Sequence, residues 1–335
     1  MNLVTPIRDF AEDAPPLPGR GLVIGSEREI WDDRRRFMER QVRHFSPDGP
    51  RPHWPSELFG HGLRAFGLGA RLLGFYHRGR RNALAPKLVE LSFALRGLPR
   101  AFDGYRILHL SDTHFDYLPG LAPAAAARLA GIEVDLLAVT GDIHGHHRAA
   151  LAHSVAPLRE LTRAIKVRDG RLAVLGNHDP TAMAEALERI GFDVLLNQSI
   201  VLKRDGERLA VTGLDDVHRF YTKAADRALA EAPPEFRIAL VHSAEMADHA
   251  AAAGYSLYLC GHTHGGQIRL PNGRPVFTRL RRCRFAADGE WRIDGMIGYT
   301  SRGLGISGVP LRFNCHGEMS ILTLRRLEPE GTAAW

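Results

Sequence analysis

Residues 106–114 read Arg-Ile-Leu-His-Leu-Ser-Asp-Thr-His, an apolar run that ends in a carboxylate and an imidazole. Leu110 leads into Ser111-Asp112-Thr113-His114, and four later runs end in the same manner. Thr140 leads into Gly141-Asp142, Leu175 into Gly176-Asn177-His178-Asp179, Val241 into His242, and Cys260 into Gly261-His262-Thr263-His264-Gly265-Gly266. Short apolar runs separated by helical stretches are the texture of an α/β chain. Ligands of open α/β sheets bind beyond the carboxyl ends of the strands, so these five ends are expected to converge on one pocket despite their distance along the chain.

Outward from these runs, the pattern predicts strands at 88–95, 106–110, 135–140, 171–175, 200–203, 209–212, 237–241, 257–260, 292–299 and 319–324. Helices are predicted at 124–129, 147–165, 181–190, 224–230 and 244–252. Before residue 86 the texture differs. Residues 1–25, rich in Pro, Gly and acid, read as a loose arm. Ser26 and Glu29 form a capping box ahead of a helix carrying Ile30, Phe37, Met38, Val42 and Phe45. Segment 57–81 mixes Leu58, Phe59, Leu63, Phe66, Leu72, Leu73, Phe75 and Tyr76 with Arg64, Arg71, Arg78, Arg80 and Arg81, the make-up of a basic amphipathic helix. Its six glycines each cost up to about 1 kcal/mol against Ala, so it needs a membrane or its own domain to hold it helical. The expected division is an N-terminal extension over 1–85, a catalytic domain over 86–327 and a tail over 328–335.

Bulk properties exclude several classes. With 335 residues, 44% of them hydrophobic and 24% charged, the chain can bury a large core and is not of disordered composition. Cys260, Cys283 and Cys315 are an odd number with no close pair, which speaks against a disulfide framework or a cysteine zinc site and for a reducing cytoplasm. Neither a signal peptide nor a run of about 18 apolar residues is found, so no spanning helix is expected. The net charge of +6 is concentrated: residues 51–100 hold nine Lys/Arg against Glu57 and Glu90, a local +7. Such a face suits an anionic partner or is a solvated basic surface. There is no aromatic-interleaved basic motif to recommend nucleic acid.

Carboxylate, amide oxygen and neutral imidazole without thiolate suit manganese, iron or zinc. In Asp112-x-His114 and His262-x-His264 the paired residues stand two apart on an extended segment and so share a side. One carboxylate flanked by further ligands can bridge two ions about 3.5–4 Å apart, a separation that clamps an in-line displacement at phosphorus. Singly, each of these residues reads as a cap, a turn former or a surface histidine; five strand ends together do not.

The ordered series D-x-H, G-D, G-N-H-D, H, G-H-T-H-G-G resembles the calcineurin-like metallophosphoesterases. The strings CGHTHGGQIRLP (260–271) and TSRGLGISGVPLRFNC (300–315) resemble their bacterial branch of membrane-associated phosphodiesterases. The resemblance covers about residues 86–325. It implies a four-layer α-β-β-α sandwich of two mixed sheets, with Asp112, His114 and His264 on one ion, Asn177, His242 and His262 on the other, and Asp142 bridging. It further implies a metal-bridging hydroxide as nucleophile, with His178 protonating the leaving oxygen or stabilising phosphoryl charge. Asp179, adjacent, would orient His178.

Where relatives carry a further acid or Asn after the bridging Asp, this chain reads Ile143-His144-Gly145-His146-His147-Arg148, so His144 and Arg148 are substrate contacts or loop residues. Cys260 reads as a small core residue. The run Arg279, Arg281, Arg282 and Arg284 meets phosphate or head groups, or is a solvated loop. The expected activity is two-metal hydrolysis of a phosphodiester or pyrophosphate, of a phospholipid or nucleotide-linked glycolipid, with manganese as the leading metal and segment 57–81 on the inner face of an anionic membrane. The alternatives are a soluble phosphatase or cyclic-nucleotide phosphodiesterase, and a non-catalytic binding protein on the same fold.

Overall fold

Two sheets, each apolar on both faces, are stacked between helices in the computed structural model, which describes residues 21–23, 28–41, 43–52, 56–146 and 149–327. The strands are β1 (Gly21–Val23), β2 (Arg43–His44), β3 (Arg51–Pro52), β4 (Lys87–Arg96), β5 (Arg106–Leu110), β6 (Glu133–Thr140), β7 (Lys166–Val174) and β8 (Asp193–Val194). They continue as β9 (Gln198–Arg204), β10 (Glu207–Gly213), β11 (Phe236–Leu240), β12 (Leu257–Cys260), β13 (Gly289–Ile293), β14 (Met296–Thr300) and β15 (Glu318–Leu327). The helices are α1 (Arg28–Glu39), α2 (Ser56–Leu72), α3 (Tyr76–Ala83), α4 (Leu121–Leu129), α5 (Ala152–Arg163), α6 (Met183–Glu188), α7 (Lys223–Ala230) and α8 (Ala247–Ala252).

One sheet has six strands in the order β4-β15-β5-β6-β7-β8 and the other seven in the order β1-β9-β10-β11-β12-β14-β13. Both are mixed, but β5, β6 and β7 run parallel, as do β10, β11, β12 and β14. The period of two decides the layers. Ile107, Leu136, Ala138, Leu172 and Val174 point between the sheets, where they meet Leu209, Val211, Ile238, Leu240, Leu257 and Leu259. Their neighbours Leu108, Leu110, Leu137, Val139 and Ala173 point out, against α4, α5 and α6. On the far side Ala239, Val241, Tyr258 and Cys260 pack on α7 and α8. The result is the expected four-layer sandwich. Cys260 is in that outer core, and burial pushes its thiol up to about 12.

Several elements differ from the sequence reading. The single strand 292–299 is a hairpin, β13 and β14, turned at Asp294 (φ 47°) and Gly295 (φ 84°). An Asp-Gly pair supplies the two positive φ angles of a tight hairpin turn, and the apolar texture runs straight through it. The helix expected from 147 starts at Ala152, and β7 begins at Lys166 rather than 171. Segment 57–81 is two helices, α2 and α3, broken at Gly74 (φ 75°). Within the arm expected to be loose, Gly21–Val23 pairs antiparallel with β9. Helix α1 buries Trp31, Arg35 and Met38, while Ile30 and Phe37 face solvent. Ser26, Val42, Arg148, residues 1–20 and the 328–335 tail lie outside the described residues, as do the side chains of Leu58, Phe59, Leu63 and Arg64. No helix among the described residues is long and apolar enough to cross a membrane.

Candidate metal centre

The carboxyl ends of β5, β6 and β7 in one sheet face those of β11 and β12 in the other, and all seven predicted ligands meet there. Two sets, Asp112/His114/His264 and Asp142/His242/His262, are buried, and within each set the ligand atoms lie within 4.8 Å of one another. Asn177 joins the second, its Oδ1 3.2 Å from His242 Nε2. Asp142 stands between them: Oδ2 is 3.6 Å from His114 Nε2 and 3.3 Å from His242 Nε2. The His114 and His264 rings stack at 5.3 Å.

The backbone is strained to achieve this. Asp112 (φ 50°), His114 (φ 37°), Asp142 (φ 52°), His262 (φ 70°) and His264 (φ 52°) all occupy the left-handed region, which residues with a Cβ rarely adopt and which clusters at functional sites. Glycines let the loops close. A Cβ on Gly261 would strike Ser111 Oγ and Asp112 Oδ2, and one on Gly176 would strike Asp142.

Hydrogen bonds around the centre hold several of the ligands from behind. His114 Nδ1 meets the carbonyl of His144 at 3.0 Å and His242 Nδ1 that of Thr140 at 2.8 Å. Such bonds fix the tautomer and turn Nε2 to an ion. Asp112 Oδ2 accepts from Ser111 Oγ (2.7 Å) and the N–H of His262 (2.9 Å), and Asp142 Oδ1 from the N–H of His178 (2.8 Å). Asp112 Oδ1, His114 Nε2, His262 Nε2 and His264 Nδ1 are buried without a hydrogen-bond partner. Buried polar atoms are seldom left so, and converging carboxylate, amide and imidazole atoms in that condition fit two divalent ions.

Ionisable groups within the centre act strongly on one another. Burial opposes ionisation of Asp142, but His242 and His178 outweigh it and hold the carboxyl well below its usual range. Burial likewise disfavours the charged form of His242, yet Asp142 raises it to about 10. Burial and neighbouring cations keep His262 and His264 well below their ordinary value, in the neutral form that binds metal.

His178 is half-buried, its ring edge-on to His114 at 5.5 Å. The Asp179 carboxylate accepts from the N–H groups of Gly176 and His144 at 2.9 Å, so its visible role is to shape the loop. His144 is buried, with Nδ1 2.9 Å from Ser154 Oγ, which makes it a loop residue behind His114 rather than a substrate contact. Of the basic run, Arg282 pairs with Asp48 and Asp248. Arg312, fully buried, donates to the carbonyls of Arg302, Gly303 and Gly305, and that loop's Gly305 N–H bonds the Asp112 carbonyl at 2.8 Å.

A sixth strand end was missed. From the last residue of β10 the chain reads Gly213-Leu214-Asp215-Asp216-Val217-His218, and the rule that found the other five applies to it as well. Its His218 ring lies 4.3 Å from that of His262, tilted by 42°, and is held by Glu245 (3.2 Å), which also meets Arg51 (3.4 Å).

The calcineurin-like phosphoesterase family model matches residues 105–266. An uncharacterized metallophosphoesterase of Bacillus subtilis, YkuE, is 31% identical over 272 residues, covering 74% of this chain and 89% of its own length. The phosphodiesterase YaeI of Escherichia coli is 30% identical over 237 residues, covering 66% and 82%. A transmembrane protein with metallophosphoesterase domain from Danio rerio is 25% identical over 269 residues, covering 73% and 58%.

Proposed function

Because the chain belongs to the calcineurin-like metallophosphoesterases and is a metal-dependent phosphoester hydrolase, we propose that it cleaves a phosphodiester or pyrophosphate at the centre just described. Asp112, His114 and His264 hold one divalent ion, Asn177, His242 and His262 the other, and Asp142 serves both. The observation that carries this reading is the position of Asp142 Oδ2, within 3.6 Å of a ligand nitrogen from each set. When bound, the ions supply Lewis acidity toward phosphoryl oxygen and lower the pKa of water from 15.7 to about 7. Manganese leads, and iron and zinc fit the same donors.

The protein's own part is to place groups. The Asp142 charge is fixed between the sets by the His178 N–H, and the half-buried His178 ring protonates the leaving oxygen or neutralises phosphoryl charge. A diester preference draws support from the name of YaeI. Turnover of bis-p-nitrophenyl phosphate against the monoester in manganese tests it: faster monoester hydrolysis would reverse the assignment.

A lipid-linked substrate is favoured by what α2 and α3 leave uncovered. Leu72 and Leu73 are 80% and 71% exposed, Phe66, Leu68 and Phe75 are exposed beside them, and Arg71, Arg78, Arg80 and Arg81 face solvent too. Apolar tips ringed by arginines suit an anionic membrane surface. Flotation with vesicles checks this: equal partition to neutral and anionic lipid, or none, removes the membrane partner.

A further inference from the structure

Helix α1 lies outside the matched region 105–266, yet one face of it reaches the back of the centre. Arg35 is fully buried at its middle, and a guanidinium is kept in such a place only by partners that replace water. Its Nη1 pairs with Asp215, which also accepts from Trp31 Nε1 at 2.7 Å. Nη2 donates to the carbonyls of Gly176 (3.0 Å) and Asp179 (2.8 Å), and the group lies 4.1 Å over the ring of Phe220. One turn further, Glu39 accepts from both the N–H and the hydroxyl of Thr181 at 2.6 Å.

These contacts fall on the two ends of one short loop. Gly176 precedes Asn177, Asp179 follows His178, and Thr181 closes the turn. Asp179 pins the same loop from inside. Asp215 follows β10 of the seven-stranded sheet, whereas Gly176 follows β7 of the six-stranded one, so a single guanidinium ties together loops from both.

We propose that Arg35 is a positioning residue of the hydrolytic centre: through the carbonyls of Gly176 and Asp179 it sets where Asn177 and His178 stand. It touches neither ion nor phosphate. The proposal rests on the roles assigned above to Asn177 and His178. A lysine has no fork with which to reach Asp215 and two carbonyls at once.

The test uses the full chain with three variants. Arg35→Met alone strands the buried Asp215 charge and lowers stability for that reason. The pair Arg35→Met with Asp215→Asn removes both charges, whereas Arg35→Lys keeps both and loses only the fork. Melting, calorimetric manganese binding, and kcat and KM on bis-p-nitrophenyl phosphate are measured. The double variant is expected to melt cooperatively, to bind one of two manganese ions about 10-fold more weakly, and to lose about 10- to 100-fold in kcat with KM nearly unchanged. Arg35→Lys is expected to recover part of that loss. A folded double variant with wild-type manganese affinities and kcat overturns the proposal. So does a fall in kcat that merely follows the unfolded fraction. Native protein that binds two manganese ions but hydrolyses no ester refutes the functional reading, while selective weakening of one ion in the variant still supports the brace. Native protein that binds no manganese defeats both.

Discussion

Asp142 is the residue at which the two ligand sets become one centre, and its side chain is held by geometry rather than by solvent. Replacing it with Asn keeps the shape and removes the charge, so Asp142→Asn is expected to bind manganese poorly and to lose roughly 100- to 1000-fold or more in kcat. A variant that kept half of the activity would show that the sets work separately. His109, one strand residue before Leu110, shows a different dependence. It is fully buried, 2.8 Å from Thr140 Oγ1, and burial lowers its pKa to about 3. Between about pH 6.5 and pH 3 the unfolded chain binds a proton that the folded chain refuses, so this contribution is complete above pH 6.5 and is lost as pH falls through that window. His109→Gln is expected to flatten the acid side of the stability curve by on the order of 2 kcal/mol between pH 7 and pH 5. Denaturant midpoints of both proteins at the two pH values check it, and parallel curves would contradict it. The seven ligand candidates were legible at this scale because each terminates an apolar run. Arg35 was not, since a lone arginine in a charged helix reads as solvated, and its partner Asp215 is 180 residues away.

The elements place those residues by packing loops against one another, and glycine marks the closest approaches. Gly261 has no room for a Cβ beside Ser111 and Asp112. Gly261→Ala is therefore expected to push the His262–His264 loop off Asp112, with at least about a 10-fold fall in activity and weaker binding of the ion in the Asp112 set. In α2, by contrast, a Cβ on Gly69 meets nothing within 4 Å. Gly69→Ala there should stabilise by up to about 1 kcal/mol and leave kcat unchanged, as thermal melts beside assays will show. The same contrast explains what the sequence revealed of the fold. Central strands such as β5, β6 and β12 are apolar on both faces and were found within a residue or two. The β13–β14 hairpin was read as one strand because its two arms and its two-residue turn make one apolar stretch. In α1 the apolar spacing does not mark the buried face, because Ile30 and Phe37 are exposed whereas Trp31, Arg35 and Met38 share the buried side.

Across the whole molecule, the centre joins the two halves of the sandwich. Asp112, His114, Asp142 and Asn177 follow strands of the six-stranded sheet, and His242, His262 and His264 follow strands of the seven-stranded one. Apolar contact fills the space between the sheets, but at this edge buried carboxylates and imidazoles face each other, and four of their atoms lack a hydrogen-bond partner. Ions that bind there stabilise the native arrangement alone, by about 2.7 kcal/mol per site at a hundredfold excess over Kd. Removing them with a chelator is accordingly expected to lower Tm by several degrees. The distribution of the effect is the sharper observable. Because each ion set draws on both sheets, amide exchange should accelerate at the carboxyl ends of β5 and β6 and of β11 and β12 together. Acceleration confined to one sheet would mean that the ions sit within that sheet, and the shared position of Asp142 would then have to be abandoned.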